Sequence, residues 1–282
     1  MHRLLPLLLG AIAASAQTPA LPAGVKVEKN ISYSQYPQTV LDVYSPARST
    51  AGKRVCGVIE IHGGGWGGGT KEQVVERFVL PWVNKGCVVA NIEYRLTKVA
   101  PAPAAVQDVL QAAKWFASHA GKYNVDRRRI IATGDSAGGH LALMTALTPK
   151  RAGFGPTGKV KAVINWYGIT DVEDQLGGPN MRDYAVTWVP QVEGRMELAR
   201  RVSPETWVRK GLPPVLTIHG SADPTVPYDH GVRITRSLRD AGSDAEMINV
   251  SGGEHGQPRE QFDAVWPQIF EFLRRRGFFK DR

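Results

Sequence analysis

Ile130-Ile131-Ala132-Thr133-Gly134-Asp135-Ser136-Ala137-Gly138-Gly139-His140 is the stretch that decides the fold. Its first four residues have the short, β-branched character of a central strand buried on both faces. The residues after Ala137 read as the start of a helix. Between them the chain must turn very sharply. Gly134 and Gly138 flank Ser136 and remove the side chains that would block such a turn. The pattern G-x-S-x-G between strand and helix lifts a serine hydroxyl to a helix N-terminus, where free amides and the helix dipole favour developing negative charge.

Working outward, strand and helix patterns alternate. Val25 to Tyr33 and Thr39 to Tyr44 read as an edge hairpin. Val55–Ile61, Val88–Ile92, Ile130–Thr133, Val160–Asn165, Val215–Ile218 and Glu246–Val250 read as central strands. Ala104 to Ala120 carries Val106, Val109, Leu110, Ala113, Phe116 and Ala117 at helical spacing. Tyr228 to Ala241 and Pro258 to Arg276 are similar. This alternation predicts an α/β fold with a mostly parallel central sheet and helices on both faces. In such sheets chemistry sits at the carboxyl ends of the strands.

Three further strand ends stand out. After Ile61 comes His62-Gly63-Gly64-Gly65-Trp66. Its glycines let backbone amides point at an oxyanion. Gly67-Gly68-Gly69-Thr70-Lys71 does not fit a phosphate-binding loop, and no dinucleotide glycine pattern opens a helix. After Ile218 comes His219-Gly220-Ser221-Ala222-Asp223-Pro224, placing Asp223 on a tight loop. After Val250 comes Ser251-Gly252-Gly253-Glu254-His255. Ser136, Asp223 and His255 thus follow the chain order Ser…Asp…His expected of one fold. The other histidines singled out, His62, His119, His140 and His219, lie on helices or upstream of glycine and are assigned structural roles. Asp135 is expected to tie down the turn.

Together these blocks make the chain resemble an α/β-hydrolase of the hormone-sensitive-lipase-like esterase group. Within it the resemblance is to secreted carbohydrate esterases of the bifunctional feruloyl and acetyl-xylan type. Leu41-Asp42-Val43-Tyr44, Tyr94-Arg95-Leu96, the helix with Asp108, and Val125-Asp126-Arg127-Arg128-Arg129-Ile130 support it, over about residues 39 to 275. The resemblance implies Ser136 as nucleophile, His255 as base, Asp223 as acid, and the amides of Gly64, Gly65 and Ala137 as oxyanion donors. It implies no metal and no organic cofactor. Trp66 is expected to touch substrate or to wedge the loop. Strands begin near Val25, where lipase-like members carry a longer helical cap, which points away from long acyl chains. The expected partner is a small-molecule or polysaccharide ester. The rival readings are a general short-chain carboxylesterase and a non-catalytic binding protein of the same fold.

Composition agrees with a folded chain. Of 282 residues, 43% are hydrophobic and 22% charged, and no apolar run is long enough to span a membrane. The net charge of +9 comes from scattered Lys and Arg and reads as a solvated basic surface. No nucleic-acid motif accompanies it. His2 and Arg3, then Leu4 to Ala14, then Ala14-Ser15-Ala16 read as a signal peptide over residues 1–16, implying a secreted or periplasmic protein. Residues 17–282 are then one domain, with a small lid expected around 170–210 and a helix over Met181–Arg201. Cys56 and Cys87 fit two buried thiols, with a bridge left open for an exported chain.

Overall fold

The computed structural model describes residues 21–47 and 54–279. The expected signal segment lies outside the described residues. The strands are β1 (Val25–Ser32), β2 (Val40–Pro46), β3 (Val55–Ile61), β4 (Val88–Ile92), β5 (Val125–Asp135), β6 (Ala162–Trp166), β7 (Val215–Gly220) and β8 (Ala245–Val250). They form one sheet in the order β1-β2-β4-β3-β5-β6-β7-β8. β1 and β2 pair antiparallel with their neighbours; from β4 to β8 every pairing is parallel. This is the α/β-hydrolase fold.

The helices are α1 (Leu80–Asn84), α2 (Ala104–His119), α3 (Ala137–Leu147), α4 (Asp183–Trp188), α5 (Arg195–Arg201), α6 (Tyr228–Asp240) and α7 (Arg259–Arg274). Two apolar layers sandwich the sheet. One packs α2 and α3 against residues such as Ile59 and Ala132. The other packs Trp82, Phe262, Trp266 and Phe272 against Val58, Ile131 and Ile164. β4, β6 and β7 are buried along their whole length, whereas β1 alternates, as an edge strand should. α3, behind the sharp turn, is apolar nearly all round because it is enclosed by the sheet and α2.

The topology locates the crevice. From β3 the chain crosses to β4 on one side, then returns past β3 to β5 on the other. The loops after β3 and β5 therefore diverge, leaving a cleft at their carboxyl ends. Ile61 and Gly134 lie in register there. The two strands approach so closely that a Cβ on Gly134 or Gly138 would run into the Ile61 carbonyl.

Two expectations change. Cys56 and Cys87 are not free thiols: they form a disulfide joining β3 to the residue before β4. Their short strand-starting runs were compatible with burial, but adjacent parallel strands also bring the two Cα atoms to 4.7 Å, within bonding range. The helix expected over Met181–Arg201 is broken into α4 and α5. Pro190 and a left-handed Gly194 (φ 78°) interrupt it.

A third finding is an ion pair beside the cleft. Arg95 donates to both carboxylate oxygens of Asp108, with Nη2 to Oδ1 at 2.7 Å and both residues largely buried. It fastens the loop after β4 to α2, which accounts for the Tyr94-Arg95-Leu96 block and Asp108 being legible together.

Candidate active site

Ser136 is the residue between β5 and α3. Its φ of 53° and ψ of −118° are unusual for a residue with a side chain. Its amide donates to the Trp166 carbonyl at 2.9 Å, and its carbonyl accepts from His140 N at 3.0 Å. Both bonds hold the strained turn. The hydroxyl is left at the cleft, 3.0 Å from His255 Nε2.

His255 sits on the loop after β8. Its other nitrogen, Nδ1, is 2.8 Å from Asp223 Oδ2. Asp223 Oδ1 accepts from the Thr225 and Val226 amides at 2.8 and 3.0 Å. The serine hydroxyl thus donates to an imidazole whose Nδ1–H donates to a fixed carboxylate. Burial pushes the Asp223 acid upward, but donors from His219, His255 and Val226 outweigh it and hold it well below the usual carboxylate range. It is ionised throughout the pH range in which the serine could react.

The glycine loop lies opposite. Gly64 has φ 108° and Gly65 φ 57°, conformations that glycine adopts without strain. Asp135, adjacent to the nucleophile, accepts from Gly63 N at 2.9 Å. It therefore ties this loop to the serine turn, rather than the turn to itself. Burial raises the Asp135 acid, and the nearby His62 and the Gly63 amide counter that rise. His62 is stacked on Tyr94 at 4.4 Å with Nε2 near Glu93, so it is structural. His119 stacks on Trp115 far from the cleft.

Trp66 does not stand where substrate could reach it. It has no exposed surface, stacks on Trp188 of α4 at 4.0 Å, and donates from Nε1 to His140 Nδ1 at 3.1 Å. Its positive φ of 57° turns the ring inward beneath the loop. His140 in turn donates from Nε2 to Val202 O, and burial pushes its pKa down to about 4. Tyr184 of the same region also meets the glycine loop: a Cβ on Gly65 would lie 2.8 Å from its Cβ. Two further residues touch the triad: Tyr167, which the sequence left unassigned, and His219, which it read as structural. Tyr167 (φ 41°) places its ring edge-on to His255 at 4.7 Å. His219 lies 3.3 Å from Asp223 Oδ2.

The segment between β6 and β7 spans the cleft. Arg182 donates from Nε to Thr225 O and from Nη2 to Pro224 O, both at 2.9 Å. Through Trp188 the same segment grips the glycine loop. Among the described residues no helix is long and apolar enough to cross a membrane.

The BD-FAE family pattern matches residues 41–238, which takes in the glycine loop, Ser136 and Asp223. The chain belongs to the BD-FAE family. Esterase LipQ of Mycobacterium tuberculosis is 27% identical over 251 residues, covering 84% of this chain and 57% of that protein. The chain thus spans little more than half the length of that curated relative. A truncated carbohydrate esterase from gut microbiota superposes with a TM-score of 0.78 at 26% identity, over 90% of this chain and 99% of that one. The butyrate-bound esterase Est2 of Thermogutta terrifontis gives 0.76 at 25% identity, over 92% and 97%. The Ser136–His255–Asp223 relay has the hydrogen-bond order of a nucleophile, base and acid triad.

Proposed function

We propose that this protein is an exported carboxylic-ester hydrolase that removes short acyl groups, acetyl or feruloyl, from plant polysaccharide through an acyl-enzyme on Ser136. The observation that carries the reading is the unbroken relay from Ser136 Oγ through His255 to Asp223 Oδ2, at 3.0 and 2.8 Å. A free serine hydroxyl is a weak nucleophile, so His255 takes its proton as Oγ attacks the ester carbonyl. Asp223 holds the tautomer and stabilises the imidazolium. The amides of Gly64, Gly65 and Ala137 receive the oxyanion; they enter no hydrogen bond among the described residues, and Ala137 opens α3. His255 then protonates the departing alcohol, and water repeats the sequence on the acyl-enzyme.

The segment over residues 170–210 acts as a wall rather than a swinging lid in this reading, because it is clamped both to the glycine loop and to the loop after Asp223. With Tyr184 against Gly65, the wall limits the acyl side and favours short groups. The Cys56–Cys87 bridge supports export, since disulfides persist in oxidising compartments. The family and the gut-microbiota relative support the carbohydrate ester. The Est2 relative, which holds butyrate, supports the alternative of a general short-chain esterase.

A panel of acyl esters from C2 to C12, run beside acetylated xylan and feruloylated oligosaccharide, separates these. Each methylene that the wall excludes should cost roughly 1–3 kcal/mol. We expect acetate to exceed octanoate by well over tenfold in kcat/KM, with acetate or ferulate released from polymer. A maximum at C8 or longer with nothing released from polysaccharide contradicts the carbohydrate assignment.

A further inference from the structure

His219 is the penultimate residue of β7 and is fully buried. Its Nε2 lies 3.0 Å from the Val226 carbonyl and 3.3 Å from Asp223 Oδ2. A carbonyl oxygen can only accept, so Nε2 carries the hydrogen and shares it between that carbonyl and the carboxylate. Nδ1 is buried and meets no partner among the described residues. A proton there would be an unsatisfied buried donor, which costs more than the proton returns, so the ring is neutral and its tautomer fixed. The ring is also held in place. Tyr228 packs edge-on to it at 5.7 Å. On α6, Gly231 makes room for it: a Cβ there would come 2.8 Å from Nδ1.

Asp223 Oδ2 is therefore addressed by two imidazoles, one from the loop after β8 and one from β7. We propose that His219 is a positioning residue of the triad, which fixes the rotation of the Asp223 carboxylate and draws part of its charge away from His255. This rests on the ester-hydrolase reading above. The first effect aims Oδ2 at His255 Nδ1. The second weakens the grip of Asp223 on the imidazolium, so that His255 gives its proton to the leaving alcohol more readily. The other titratable groups facing this pair are Tyr167 and Asp135 around His255, and Tyr184 and Tyr228 around Asp223 and His219. None of them supplies a hydrogen bond to Asp223 among the described residues.

The test compares wild type with His219→Leu and His219→Gln on a small chromogenic acetate ester. Loss of a hydrogen bond to a charged group should lower kcat about 10- to 100-fold in His219→Leu, with KM nearly unchanged. Without the competing donor, Asp223 stabilises the His255 imidazolium more strongly, so the acid limb of kcat/KM should move to higher pH. His219→Gln retains an N–H donor and should restore most of kcat and return the acid limb. A His219→Leu enzyme with wild-type kcat, or with an unshifted acid limb, overturns the proposal. A Gln variant as poor as Leu also overturns it. Should the Leu variant not fold, 15N NMR of the wild-type imidazoles decides. At neutral pH His219 should carry its hydrogen on Nε2, and a hydrogen on Nδ1 contradicts the account. A wild-type protein without esterase turnover would instead count against the proposed function, so the two failures are distinct.

Discussion

The two ends of the central strands are built on opposite principles. At the carboxyl ends, Ser136, Trp66 and Tyr167 have positive φ despite carrying side chains, and glycines fill the closest approaches. At the amino ends, a disulfide staples the start of β3 to the residue before β4, and the positive φ just before β5 falls on Asn124, a residue type that tolerates it. Strained backbone persists only where surrounding structure over-determines it. Here the surrounding structure is the doubly covered sheet and the staple. The contrast implies that chemistry and stability can be altered separately, one at each end.

The largest effect should come from Asp223→Asn. An amide favours the wrong imidazole tautomer, and kcat should fall about 10⁴-fold. This substitution also probes how cleanly the ends separate. Because the folded Asp223 acid lies below its ordinary range, its ionised form contributes stability at neutral pH. That contribution is lost only as the pH falls through the depressed value. The Asn variant should therefore melt lower than wild type at pH 7, with the gap narrowing in acid. A kcat within tenfold of wild type would move the triad acid elsewhere.

Next is the double substitution Cys56→Ala with Cys87→Ala. The bridge spans a separation of 31 residues, and a loop of that size is worth roughly 3–4 kcal/mol. For a chain of this length that corresponds to a Tm about 6–15 °C lower. Activity on a small ester at 25 °C should stay within about twofold. A large loss of kcat with unchanged melting would break the division between the two ends.

The smallest effect tests the penultimate residue of β3. Glu60 is buried, and neither carboxylate oxygen meets a partner among the described residues. Burial, reinforced by the charge of Asp135, pushes its pKa well above the usual value. The folded state therefore holds a proton that the unfolded state releases above its ordinary pKa, so Glu60 weakens the fold as pH rises. Glu60→Gln should raise Tm slightly at neutral pH and more at alkaline pH, with little change near pH 4. Differential scanning calorimetry across that range reads it, and a margin that shrinks with rising pH would contradict the buried neutral acid.

Most of the fold was legible because central parallel strands are continuous Val and Ile runs closed by Gly or Asp, and each run found its strand. The triad was legible for a related reason: each member follows a different strand end, in a fixed chain order. What sequence could not carry was side-chain direction and pairing across strands. Trp66 adjoins the loop glycines Gly63–Gly65 in sequence, yet its left-handed backbone sends the ring into Trp188 and His140. Cys56 and Cys87 looked like separate strand residues until β3 and β4 lay side by side. His219 read as a strand-end structural residue, and only the bend of the loop back onto β7 brings it against Asp223. The break between α4 and α5 had a readable signal in Pro190 and Gly194 that the expectation of one helix passed over.

The central claim is that an acyl group passes through Ser136. It is tested most directly by quenching the enzyme during turnover of an activated acetate ester and reading the intact mass, followed by peptide mapping. The account predicts one acetyl group per chain, carried on Ser136, appearing with a burst of alcohol and absent from Ser136→Ala. Full turnover by Ser136→Ala, or an acetyl group residing on another residue in the wild type, would contradict it.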